Sequence, residues 1–151
     1  MNQKISRVLQ SLLIFPFLIS CDEFIEGTVI YNKGNFDTVE MQFYTRINRS
    51  DLESRVYRLE ETALLDEFQD KFEKNESRLG SGQVSANFVI DSDSVVIIFN
   101  NERRFSFPNG SEPLNSAENT LFFQNEYYEI SGSTIYTKTF TQQDYEDAEE
   151  I

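Results

Sequence analysis

The chemistry open to this chain rests on its carboxylates. It has 26 Asp+Glu, no His and one Cys, Cys21. The lack of His removes Ser-His-Asp and Cys-His nucleophile systems, His general bases and most zinc and iron sites. No Ser-x-x-Lys, P-loop, GxGxxG or HExxH pattern occurs. Asp91-x-Asp93 offers oxygen ligands of the kind Ca²⁺ takes. The rest of an EF-hand loop is missing, and the pair reads first as a polar turn before an apolar strand. A glycosidase-type carboxylate pair needs a cleft to hold it. No catalytic residue, metal site or cofactor is therefore assigned.

Tyrosines offer binding rather than catalysis. Tyr44, Tyr127 and Tyr128 stand in strand-like runs and are candidates for a sugar- or protein-binding face. The plainer alternative places them at strand rims with their hydroxyls in water. Asp37-Thr38-Val39 and Asp93-Ser94-Val95 resemble the Asp-Ser/Thr-aliphatic acceptor of protein O-glycosylation in some exported bacterial proteins. That resemblance makes Thr38 and Ser94 candidate modification sites, each where a turn enters a strand.

Short strands must position these residues. Thr28–Tyr31 is β-prone, and Asn32-Lys33-Gly34-Asn35 is rich in turn formers. Val39 to Ile47 alternates apolar and polar residues over nine positions, which predicts a strand and, with the first run, a hairpin. Ser50-Asp51-Leu52-Glu53 fits a helix capping box. Leu52, Val56, Leu59 and Ala63 fall on one helical face, and Leu64, Leu65, Phe68 and Phe72 on the opposite one. One helix cannot bury both stripes against one core. The segment is therefore broken near Glu60-Glu61, with a helix expected over 61–74 and a helix or strand around 55–59.

Further strands are expected over 83–90, 94–99, 103–107, 121–123, 127–130 and 134–140. The run Val-Val-Ile-Ile-Phe inside 94–99 predicts a central strand. Residues 108–120 read as a loop, and Thr141 as the cap of a short final helix. The expected fold is mainly β: an antiparallel β-sandwich with one inserted helix, of which an immunoglobulin-like arrangement is one version. A small β-barrel or an α+β fold is the alternative. The Cys…Trp…Cys marker of immunoglobulin domains is missing, since the chain has no Trp.

The first 21 residues carry the most specific signal. Lys4 and Arg7 precede Val8 to Ile19, twelve residues without charge. A spanning helix needs ~20, so the run reads as a secretory signal. Leu18-Ile19-Ser20-Cys21 resembles the lipobox of bacterial lipoproteins, with Ile19 a mild departure from the commoner Ala. The resemblance implies cleavage before Cys21, a diacylglycerol on its thiol and acylation of the new N-terminus. Two or more acyl chains anchor stably where one does not. The chain as a whole resembles small lipoproteins of gut commensal bacteria.

This reading divides the chain into a signal peptide (1–20), a lipidated Cys with a short tether (21–27), a β-rich domain (28–145) and an acidic tail (146–151). Cleavage removes Lys4 and Arg7, leaving 11 Lys+Arg against 26 Asp+Glu, a net charge of −15. That charge argues against nucleic-acid binding and against adhesion to anionic headgroups. Asp22-Glu23 beside the Cys resembles two sorting signals, one for inner-membrane retention and one for export to the surface. The expected location is the cell envelope, with the outer membrane or cell surface favoured. The expected role is a non-catalytic binding or accessory domain for another envelope protein or a glycan. The competing role is a lipid-anchored hydrolase that works through carboxylates.

Overall fold

The structure, a computed structural model, describes residues 23–47, 56–108 and 122–151. Residues 1–22, with the signal and Cys21, lie outside the described residues, as do the capping box at 50–53, Arg55 and the loop at 109–120.

Nine strands form two sheets. In chain order they are β1 (Phe24–Asn32), β2 (Val39–Ile47), β3 (Val56–Leu65), β4 (Lys71–Leu79), β5 (Ser94–Phe99), β6 (Arg103–Pro108), β7 (Glu129–Ser131), β8 (Ile135–Thr139) and β9 (Glu149–Glu150). One sheet has the order β4-β1-β8-β7 and the other β3-β2-β5-β6-β9. All pairs are antiparallel except β1 with β8. The fold is β-sandwich-like and closes no barrel. Its order departs from that of immunoglobulin domains, where the first, second, fourth and fifth strands share a sheet. The strand over 94–99 is central as expected: β5 is the third of five.

Each sheet turns its apolar face inward. Val29 and Tyr31 from β1, Val39, Met41 and Phe43 from β2, and Val95, Ile97 and Phe99 from β5 are buried. Tyr31 is the hub of the core. Its ring lies 5.7 Å from Phe122, 6.3 Å from Phe140 and 6.4 Å from Phe43.

Several expectations are corrected. The first two strands do not form a hairpin, because β1 pairs with β4 and β8 whereas β2 pairs with β3 and β5. The helix expected over 61–74 is instead the end of β3, a turn and β4. The Asp66 carboxylate accepts from the backbone N–H of Phe68 (2.8 Å) and Gln69 (3.0 Å), which closes the turn. The break at Glu60-Glu61 is a β-bulge: Phe43 faces Glu61 and Tyr44 faces Leu59, leaving Glu60 unpaired. A bulge shifts strand alternation by one residue, so Leu59 stands on the outer face with Leu64 and not on the inner one with Ala63 and Leu65.

The strand expected over 83–90 contains the helix α1 (Ala86–Ile90). Ala86, Val89 and Ile90 are buried, a helical spacing, and the Ser85 hydroxyl caps the helix from the Phe88 N–H. Gly27 makes room for it. A Cβ there would meet Val84 and Val89 at 2.7 Å. β1 also begins earlier than expected, at Phe24 rather than Thr28.

The end of the chain is held. Thr141 caps α2 (Gln142–Asp147) through a full capping box with Asp144. The acidic tail then pairs with β6, Glu149 against Arg104 and Glu150 against Arg103. Arg103 also donates to the carbonyls of Tyr145, Glu146 and Ala148 at 3.3, 3.0 and 3.3 Å. Phe122 and Phe123 lie in a 3-10 turn rather than a strand, and both are buried.

Candidate functional site

The three candidate tyrosines do not share a face. Tyr128 is 6% exposed. Its hydroxyl donates to the Phe122 carbonyl at 2.7 Å and meets the Tyr31 hydroxyl at 3.3 Å. Tyr128 spends its proton on Phe122, so Tyr31 is the donor between the two. Burial raises the pKa of both hydroxyls. Tyr127 is half-buried beneath Lys138, whose Nζ lies 4.2 Å from the ring centre. Burial, then the nearby Asp144 charge, raises its pKa too. Lys138 pairs with Asp144 at 2.9 Å, with only 13% and 14% of the side chains exposed. These groups hold the core together. Tyr128 is therefore a core residue rather than part of a binding face, and Tyr127, half-buried, packs against that core away from Tyr44.

Tyr44 is different. It sits on the outer face of β2, half-buried, and donates to Gln42 at 2.6 Å. Gln42 in turn donates to Glu40 at 2.6 Å. Strand register sets their neighbours. Leu59 faces Tyr44, Thr62 and Val96 flank Gln42, and Leu64 and Ile98 flank Glu40. Leu59 and Leu64 are 48% and 47% exposed, while Val96 and Ile98 are half-buried. Tyr57, opposite Arg46, extends the same face. The result is an outer face of two tyrosines and four aliphatic side chains, laced with neutral and charged groups. Sequence reading found Tyr44 but not this company. The alternation of β2 and the apolar run of β5 carried the signal, and the bulge in β3 hid the rest.

Two of the concavities among the described residues bear on function. A groove of about 460 Å³ opens between the sheets, lined by Phe43, Thr45, Glu60, Glu61, Lys74, Glu76, Asp91 and Ser92. Lys74 pairs with Glu61 at 2.8 Å and stands 4.4 Å over the Phe43 ring. An acidic cleft of this kind attracts cations and basic segments. Among the described residues, no group of three or more His, Cys, Asp or Glu is placed to hold a metal ion. Asp93 serves the fold, since its carboxylate accepts from the Arg46 N–H at 2.7 Å.

The second concavity, about 450 Å³, is lined by Gly34, Asn35, Phe36, Asn100, Tyr145 and residues 139–142. None of these carries a charge. It sits where Phe140 donates its N–H to Asn32 and Asn100 donates its own to Thr38.

The candidate modification sites stand at strand entries as expected, but neither is fully exposed. Thr38 is half-buried just before β2, with its N–H on the Asn100 side chain at 3.1 Å. Ser94 is half-buried at the start of β5, opposite Tyr44.

Comparison with protein-family models, curated proteins and solved structures finds no match to this chain. Its function is argued from its own residues.

Proposed function

We propose that this protein is a lipid-anchored envelope lipoprotein, held through Cys21, whose β-sandwich is a non-catalytic binding domain for another envelope protein. The anchoring half of the reading is supported by the signal at 1–20 and the lipobox ending at Cys21. The binding half is supported by one observation: the outer face of β3-β2-β5 carries Tyr44, Tyr57, Leu59, Leu64, Val96 and Ile98. Exposed apolar patches on a domain mark contact surfaces, and Tyr is enriched in them. The partner surface is neutral or basic, because a body of charge −15 is steered toward positive patches.

The uncharged pocket at Asn35, Asn100 and Thr141 favours a second reading, a neutral glycan end held by amides and hydroxyls.

In-cell photo-cross-linking tests the first reading. A photoreactive residue replaces Thr62, on the outer face beside Gln42, or Asn75, on the outer face of the other sheet. One envelope protein enriched from the Thr62 position and not from Asn75 supports it. Equal yields from both overturn the chosen face. Turnover of a glycan or peptide by the purified domain overturns the non-catalytic reading. Cys21→Ser should abolish fatty-acid labelling in cells, and equal label in wild type and variant sinks the anchor.

A further inference from the structure

We propose that Phe24 and Leu79 form a seat that rests in the membrane interface beside the anchor. This inference rests on the anchoring reading and adds the surface that faces the bilayer. Phe24 opens β1 and Leu79 closes β4, and the two are cross-strand partners. They are 68% and 57% exposed. Gly80 donates its N–H to the Glu23 carbonyl at 3.2 Å, so the ribbon is held to its last residue. The exposure is therefore built into a paired strand end.

Chain length decides what covers the pair. Phe24 follows Cys21 by three residues, at most about 11 Å of chain. The headgroup layer on each side of a bilayer is about 5–8 Å thick. Even with that chain fully extended, Phe24 stands no more than about 3–6 Å beyond the layer, close enough for its own side chain to reach it.

Charge agrees with this placement. The mature body is strongly negative, so attraction to anionic headgroups cannot hold it down. Contact must be apolar, and amphipathic surfaces bury such side chains at the headgroup boundary. Beyond the pair the same sheet face is mostly polar, from the next outward row, Glu26–Ser77, onward, with Ile30 and Ile135 the apolar side chains among its later rows. At the other end of β1, Asn32 stands between Lys71 and Thr139. The seat fixes the domain's orientation, with the Asn32 end pointing away from the membrane.

The test uses the full chain purified with its lipid. The chain has no Trp, so Phe24→Trp creates a single emitter. The protein is reconstituted in phosphatidylcholine vesicles, with or without chains brominated near their carbonyl end. Phe68→Trp is the control. Phe68 is 88% exposed in the turn before β4, ~26 Å along β1 from Phe24.

The expected result is blue-shifted emission from the Phe24→Trp protein, quenched at least about twofold by brominated lipid, with Phe68→Trp unquenched. Intact mass on the same sample reports the lipid on Cys21. Lipidated protein with an unquenched Phe24→Trp reporter overturns the seat and leaves the anchor standing. Blue-shifted but unquenched emission also overturns it, since protein rather than lipid then covers the ring. Protein without lipid mass overturns the anchoring reading, and the seat with it.

Discussion

The two sheets share one core, yet their outer faces differ. On the β4-β1-β8-β7 sheet, apart from the Phe24–Leu79 end already assigned to the membrane seat, the outward rows run Lys71–Asn32–Thr139, Glu73–Ile30–Thr137–Glu129, Asn75–Thr28–Ile135–Ser131 and Glu26–Ser77. Hydroxyls, amides and charges dominate them. On the other sheet the rows run Leu64–Glu40–Ile98–Arg104, Thr62–Gln42–Val96–Ser106 and Leu59–Tyr44–Ser94. A sandwich needs one apolar face per sheet. Folding accounts for the inner faces of both sheets and for the polar outer face of one. It does not account for Leu59, Leu64 and Ile98 facing out on the other. An apolar face that the fold does not require is the surface offered to the proposed partner.

The largest expected effect breaks the inner face of the same strand. Ile97 is fully buried on β5 between Met41 and Phe105. Ile97→Asp places an unpaired charge in the core and should cost about 3–5 kcal/mol, enough to unfold a marginal domain. Thermal melts by circular dichroism check this. A variant with wild-type stability would show that inner and outer faces have been exchanged.

Alkaline pH should come next. Tyr31, Tyr127 and Tyr128 hold their protons more tightly folded than unfolded, mainly because burial disfavours the phenolate. Below pH ~10 both states are protonated and stability is full. Above it the unfolded chain releases protons that the folded one keeps, so stability falls as pH rises. Each tyrosine contributes a slope of at most about 1.4 kcal/mol per pH unit. Denaturant melts from pH 8 to 11 should show the decline, and Tyr128→Phe should make it shallower. A flat profile would place these hydroxyls in water, as the rim reading of the sequence has it.

The Lys138–Asp144 pair ranks third. Asp144 also accepts from the Thr141 N–H at 2.7 Å and closes the cap of α2. Asp144→Ala leaves Lys138 partly buried without its partner and should cost about 3 kcal/mol. Chemical denaturation measures it. A loss below about 0.5 kcal/mol would put the pair among exposed ion pairs of little worth.

Local alternation made β2 legible in the sequence and a continuous apolar run made β5 so, and the Thr141 cap was readable from residue type alone. Two signals were misread. Leu, Glu and Lys in 61–74 favour a helix intrinsically, but pairing of β3 with β2 and of β4 with β1 overrode that preference. The cap at Ser85 and the spacing of Ala86, Val89 and Ile90 were present, yet Val84, Ala86, Phe88 and Ile90 also alternate. The short helix won because it packs Val84 and Val89 against Gly27. The candidate face was half legible. Tyr44 was readable from β2, but its neighbours depend on which strands flank β2. That is set by long-range pairing, not by local pattern. Tyr127 and Tyr128 misled because nothing local shows that the Phe122 carbonyl and Lys138 will meet them.

The smallest effect on stability is the sharpest test of the comparison. Leu59→Ser with Leu64→Ser removes the two most exposed aliphatic side chains of the apolar outer face. Ile135→Ser does the same on the polar one, where Ile135 is 40% exposed. Each change acts on side chains already largely in water, so each should move stability by about 0.5 kcal/mol or less per residue. Leu-to-Ser changes keep both strands, since the β2–β3 register is carried by backbone hydrogen bonds and the buried Ala63 and Leu65. The two variants should then differ in one respect. The Leu59/Leu64 pair should lose the envelope cross-link formed from the Thr62 position by about tenfold, the weight of roughly 1.4 kcal/mol at a contact, while Ile135→Ser keeps it. Equal cross-linking in both variants would mean that the apolar face is a surface accident. A large loss of stability in the Leu59/Leu64 variant would mean that the face is core, covered from within.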